Sequence, residues 1–122
     1  MRRPERFAES LREEIGEIVG YELSDPRLLT VTVTEVSVSE DLRDAKVYVT
    51  VDGSESEVRS ALEALKKAAY FVRQQVAMNL DLRHAPQLHF IRDTVTERAA
   101  RIEELLENVA REEKENIDKE GN

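Results

Sequence analysis

The stretch from Leu28 to Val51, LLTVTVTEVSVSEDLRDAKVYVTV, constrains the fold more than any other part of the chain. In its second arm Ala45, Val47, Val49 and Val51 alternate with Lys46, Tyr48 and Thr50. Successive strand residues point to opposite faces, so this spacing predicts a strand with one apolar face. The first arm also alternates, with Leu29, Val31 and Val33 on one face, but the next apolar residues are Val36 and Val38. One extra residue near Thr34–Glu35 restores the phase, as a β-bulge does. The polar connection over 39–44 joins the arms as an antiparallel hairpin. Its apolar face needs a cover, and helices before and after it are the only candidates.

A chain of 122 residues is one domain with room for a core, and it needs no covalent staples. The absence of cysteine excludes disulfides, thiolate chemistry and Cys-based metal sites, and fits a reducing compartment. No apolar run approaches the length of a membrane span, and the N-terminus lacks a signal-peptide core. The expectation is a soluble, cytoplasmic protein with no membrane partner. The net charge of −8 argues against a nucleic-acid partner as far as totals go, because phosphate binding favours Lys and Arg. Local clusters can override that total.

The periodicity predicts a first helix over about 4–22. Phe7, Leu11, Ile15, Ile18 and Val19 form its stripe, and Gly16 and Gly20 suggest close packing on the sheet. Asp25-Pro26 stops it, since a residue before proline avoids the helical region. After the hairpin, Ser54 and Glu57 have capping-box spacing. The stripe Val58, Leu62, Leu65, Ala69 continues through Val72, Val76 and Leu80. A helix this long predicts a bend near Ala68-Ala69-Tyr70. Leu88 and Phe90 alternate with His89 in a third strand over 87–92, and Phe71 reads as core.

Thr94 and Glu97 form a second capping box, opening a last helix to about Glu115. Its stripe is Val95, Ala99, Ile102, Leu106 and Val109, with docking on its own domain as the default and self-pairing or another protein as alternatives. The domain expectation is 1–93 for the globular part and 94–122 for an appended helix with a charged, frayed tail. The order is helix, strand, strand, helix, bent helix, strand, helix, an α+β arrangement.

The residues also resemble a known family. Arg3-Pro4-Glu5-Arg6 opens the first helix. Asp25-Pro26-Arg27-Leu28, Val38-Ser39-x-Asp41-Leu42 and Ala45-Lys46-Val47-Tyr48-Val49-Thr50 follow, then Phe71-Val72-Arg73, Leu82-Arg83-x-x-Pro86-x-Leu88-x-Phe90 and Asp93. In this order and spacing they resemble ribosome-binding factor A over residues 2 to about 106. The resemblance implies a type-II KH-like fold. It implies binding to the immature small (30S) ribosomal subunit near the 5′-terminal helix of 16S rRNA, a part in rRNA processing, subunit maturation and growth in the cold, and no catalysis. In the family an Ala-x-Gly kink between two helices replaces the Gly-x-x-Gly loop of RNA-clamping KH domains. The matching positions are Ala68, Ala69 and Tyr70, so the glycine is absent here.

The cationic candidates for RNA contact are Arg3 and Arg6 at the first helix, Arg43 and Lys46 at the hairpin, Lys66, Lys67 and Arg73 around the bend, and Arg83 with His84 before the third strand. Such groups hold phosphates without reading bases. The bland alternative for each is a solvated charge paired with a nearby Glu. Asp25, Pro26, Arg27, Asp41, Pro86 and Asp93 read as structural, Asp25 and Asp41 as turn acceptors. Tyr48 and Tyr70 are the rings a base would stack on, but with aromatics at only 5% of the chain and scattered, a stacking sheet surface is not expected. His84 and His89 have no Cys and no third ligand beside them, so no metal site is expected. No nucleophile–base set, cofactor loop or catalytic carboxylate pair is legible, so no catalytic residue and no cofactor are expected. A monomer is expected, with self-association through the last helix open. The alternative function is a non-catalytic protein-interaction module using that helix.

Overall fold

The computed structural model describes residues 3–120, with side chains over 5–116. The constraining stretch folds as the hairpin β1 (Val31–Val38) and β2 (Asp44–Val51). The register shifts between Val33, opposite Val49, and Glu35, opposite Tyr48, so Thr34 is the bulged residue. The bulge lets Val31 and Val33 before it and Val36 and Val38 after it all pack on the core. Leu29 departs from the expected pattern, because it precedes β1 and is 82% exposed.

β3 (Gln87–Arg92) joins β2 in parallel, giving the order β1-β2-β3. Parallel neighbours need a crossover, and α2 (Glu55–Asn79) supplies it. Ser54 caps α2 by a reciprocal box. Its hydroxyl accepts from the Glu57 N–H and the Glu57 carboxylate accepts from the Ser54 N–H, each at 3.2 Å. Leu11, Ile15 and Ile18 of α1 (Arg3–Glu17) and its continuation meet Val58, Leu65, Val72 and Val76 of α2 in one core over Val47, Val49, Leu88 and Phe90. Burying each such side chain contributes about 1.5–3 kcal/mol.

Three local expectations are corrected. The first helix is not uniform: after α1 it widens into a π-turn over Ile18–Glu22, closed by the Leu23 N–H on the Ile18 carbonyl at 3.1 Å. Ile18 and Val19, at the start of this turn, are both buried. The glycines are not explained by close packing, since a Cβ at Gly16 or Gly20 would meet nothing within 4 Å. Gly16→Ala is therefore expected to stabilise the chain by about 0.5–1 kcal/mol, read as a higher urea midpoint. A lower midpoint would show a packing constraint at that position. α2 runs through Ala68, Ala69 and Tyr70, the positions of the expected bend, without a break in helical hydrogen bonding. Phe71 is 44% exposed and lies outside the core.

The last helix, α3 (Thr94–Glu120), runs past the expected end. Its start is capped by Asp93, not Thr94. The Asp93 carboxylate accepts from the Thr96 N–H at 2.9 Å and from the Thr96 hydroxyl at 2.6 Å. Glu97, the expected second half of a box, instead accepts from Arg92 Nε at 2.9 Å. Asp93 also accepts at 2.6 Å from the hydroxyl of Thr34, the bulged residue of β1. The stripe of α3 does not dock on the domain: Val95, Ile102, Leu106 and Val109 are all at least 50% exposed.

Candidate nucleic-acid interface

At one end of the sheet the hairpin connection, the start of β3 and the loop after α2 are fastened together. Leu42 sits in a left-handed turn (φ 62°), closed by its N–H on the Ser39 carbonyl at 2.9 Å. Asp41 braces that turn, accepting from the Ser39 hydroxyl at 2.7 Å and the Arg43 N–H at 3.1 Å. The Ser39 hydroxyl, then the Arg43 amide, hold the Asp41 carboxyl below the usual carboxylate range. The Arg43 carbonyl accepts from the Gln87 N–H at 2.8 Å, which ties the hairpin to β3.

The loop after α2 is set by the helix end. Asp81 takes a left-handed conformation (φ 52°), the Leu82 N–H reaches the Ala77 carbonyl at 2.8 Å and the Asp81 N–H the Met78 carbonyl at 3.3 Å. These are the two bonds of a Schellman motif. Ala85 and the fully buried Pro86 then anchor the loop, leaving Arg83 and His84 exposed.

These elements surround an open cavity of about 580 Å³, lined in part by Arg43, Asp44, Arg73 and His84. Arg73 is central. Its Nε donates to the Ala85 carbonyl at 3.0 Å, and among the described residues that is its only side-chain hydrogen bond. A guanidinium has five N–H groups, so most of its donor capacity is unused. Arg73 also lines two shallower clefts. One holds Tyr70, Gln74, Arg83 and His84. The other runs beside β3, between Ala69 and Tyr70 of α2 and Gln87 and His89. Tyr70 is 68% exposed, and its hydroxyl accepts from Gln74 at 2.9 Å.

The structure brings Arg43, Arg73 and Arg83 of the cationic candidates to the lining of this region. Lys66 precedes Tyr70 by one helical turn and Arg73 follows it by another, so the row leads into the clefts. Arg6 adjoins Phe7, which shares a further cleft with Leu42, Leu82 and His84. The Arg3 side chain lies outside the described residues. Lys46 stands apart, on the sheet face away from the helices, beside His89. Arg6, Arg43, Lys46, Lys66, Lys67 and Arg83 are all exposed, and none forms an ion pair among the described residues. Acidic groups are present but engaged: Asp41 serves its turn, and Asp44 meets His89 Nε2 at 2.9 Å.

Among the described residues no cluster of His, Asp and Glu could hold a metal ion. The groups present are suited to phosphates, through Arg and Lys, and to a flat ring against Tyr70. Asp25 lies elsewhere and is used locally. It caps a short 3₁₀ turn (Pro26–Leu28) through the Arg27 N–H at 3.0 Å and pairs with the Arg27 guanidinium at 2.7 Å.

Residues 3–106 match the family model described as "Ribosome-binding factor A". The chain belongs to the ribosome-binding factor A family. A relative of that name from Desulfitobacterium hafniense is 47% identical over 91% of this chain and 89% of its own length. Among solved structures, the crystal structure of ribosome-binding factor A from Thermus thermophilus is similar at a TM-score of 0.67 and 28% identity, covering 75% of this chain and 97% of that one. A second Thermus thermophilus neighbour is a ribosome-binding factor A homology model fitted into the cryo-EM map of a 30S complex. It has a TM-score of 0.60 and 31% identity and covers 69% of this chain and 88% of its own. The fold is therefore the KH-like fold of ribosome-binding factor A. Tyr70 stands exposed on α2 at the position of the expected bend.

Sequence reasoning named most of the cations but missed what joins them. Leu42, which links α1, the hairpin and the loop through shared clefts, carried no separate signal, and His84 was named beside Arg83 without its place in those clefts. Nor did Arg92, which bridges Glu55 of α2 at 2.8 Å and Glu97 of α3 at 2.9 Å.

Proposed function

We propose that this member of the ribosome-binding factor A family binds the immature small ribosomal subunit near the 5′-terminal helix of 16S rRNA. It assists rRNA processing and subunit maturation there without catalysis, in the cytoplasm, and supports growth in the cold. Family membership supports this reading, as does the 30S complex in which a structural neighbour was fitted. The observation that carries it is the unpaired cationic rim around Arg73. Arg43, Lys66, Lys67 and Arg83 are exposed and without acidic partners among the described residues, although the chain as a whole is acidic. Contacts from such a rim release counterions, so binding depends on local charge and not on the net value. The shape also fits an interface read through the backbone. The clefts are open and shallow, and no Gly-x-x-Gly loop is present to clamp nucleotides.

Co-sedimentation with immature and mature small subunits, at low and moderate salt, tests the reading. Retention with immature particles that falls as salt rises is the expected outcome. No retention at low salt would mean that the fold has been kept without the partner.

A further inference from the structure

The α3 helix presents an apolar stripe that nothing in the domain covers. Val95 is 76% exposed, Ile102 58%, Leu106 64% and Val109 50%. Leu105 is also 58% exposed, although it lies beside the stripe and not on it. With Ala99 and Leu106 at heptad position a, and Val95, Ile102 and Val109 at d, Arg98, Leu105 and Glu112 fall at the flanking position g.

We propose that α3 pairs with α3 of a second copy in an antiparallel, two-fold coiled coil centred near Leu105. In that register Ile102 meets Leu106 of the second copy, and Ala99 meets Val109. On the flank, Leu105 faces its own copy across the two-fold axis, and Arg98 faces Glu112. Neither Arg98 nor Glu112 has an ion-pair partner among the described residues. The sequence is therefore complementary to itself when reversed, as an isologous interface requires. Leu105, unexplained as a surface residue, acquires a partner. The opposite flank brings Glu103 against itself, one repulsive pair set against two attractive ones.

Parallel pairing would bring Glu113 onto Glu113 in the seam, whereas the antiparallel register sets each Glu113 against Val95 at the ends of the seam. It would also bring both globular parts to one end. Packed helix axes lie about 8–10 Å apart, whereas a body of this size is about 25–30 Å across. No linker relieves the crowding, because β3 ends at Arg92 and α3 starts at Thr94. Antiparallel pairing puts the two bodies at opposite ends.

The overlap from Val95 to Glu113 is about 28 Å long at 1.5 Å per residue. It buries on the order of 1,000 Å², the low end for a specific interface, so a reversible, concentration-dependent dimer is expected.

Sedimentation equilibrium of the full chain over a wide concentration range tests this. The wild type is expected to move from monomer towards dimer mass. Arg98→Glu or Glu112→Arg alone should each weaken association about tenfold, and the two together should restore it. Leu106→Glu should abolish it. All three positions lie outside the globular core, and far-UV circular dichroism checks that the domain remains folded. Monomer mass at every concentration would overturn the proposal. Failure of the double charge exchange to rescue would overturn the register, because parallel helices would not bring Arg98 to Glu112.

Discussion

Replacing Lys66, Lys67 and Arg73 together by glutamate is expected to weaken association with immature small subunits by about 100-fold at moderate salt. Lys66 and Lys67 are exposed on α2, and Arg73 lines the main cavity and both adjoining clefts. Reversal removes up to three phosphate contacts and adds repulsion. Losing three contacts should also flatten the dependence of log affinity on log salt by about 2–3, at 0.7–0.9 per contact. The fold should survive: the lysines have no partners to lose among the described residues, and Arg73 gives up one bond to a carbonyl. That bond is worth about 1 kcal/mol. Arg73→Gln isolates the central residue with less disturbance. Unchanged affinity and salt slope in a folded triple variant would place the ribosomal contact elsewhere.

The second large effect is on stability. Asp93→Ala is expected to lower unfolding free energy by about 2–4 kcal/mol, through a lost helix cap and lost hydrogen bonds to the Thr34 and Thr96 hydroxyls. Asp93 is only 8% exposed, so water cannot readily replace those bonds. The Thr34 hydroxyl first, then the hydroxyl and amide of Thr96, hold the Asp93 carboxyl below its ordinary value of 3.8. A carboxyl depressed in the folded state contributes stability that is complete above the unfolded value and lost as pH falls through the folded one. The gap between wild type and variant, read from urea midpoints, should thus be constant above about pH 5 and shrink below about pH 4. A gap independent of pH down to 3 would mean that the carboxylate charge is not what holds β1 to α3.

Local chemistry was legible in the sequence where it closed within a few residues. The slipped phase between Val33 and Val36 located the bulge, and the Ser54–Glu57 spacing gave the cap of α2. Misreadings arose where distant residues chose between local options. Asp93-Thr94-Val95-Thr96-Glu97 accommodates a cap at Asp93 or at Thr94. The choice falls to Asp93 because Thr34, 59 positions away, donates to it, and because Arg92 draws Glu97 aside. The π-turn at Ile18–Glu22 had no such local signal, because Ile15, Ile18 and Val19 also fit an ordinary helical stripe.

The candidate interface follows the same division. Single cations could be read as cations, but their assembly depends on the Gln87 N–H reaching Arg43 and on a Schellman turn built around Asp81. Lys46 was grouped with Arg43 by nearness in sequence, yet the strand places it on the outer face of the sheet. The exposed stripe of α3 was visible as a pattern, whereas its lack of cover was not, because a helix stripe looks the same docked or bare.

The most direct measurement is photo-cross-linking from a photoreactive residue placed at position 70, compared with one at position 29, on chains bound to immature small subunits. Tyr70 and Leu29 are both well exposed, at 68% and 82%, but only Tyr70 borders the clefts around Arg73. Cross-links from position 70 to the 5′-terminal helix of 16S rRNA, with few from position 29, are the expected result. Efficient cross-linking from position 29 with none from position 70 would contradict the assignment of the rim around Arg73 as the surface that meets RNA.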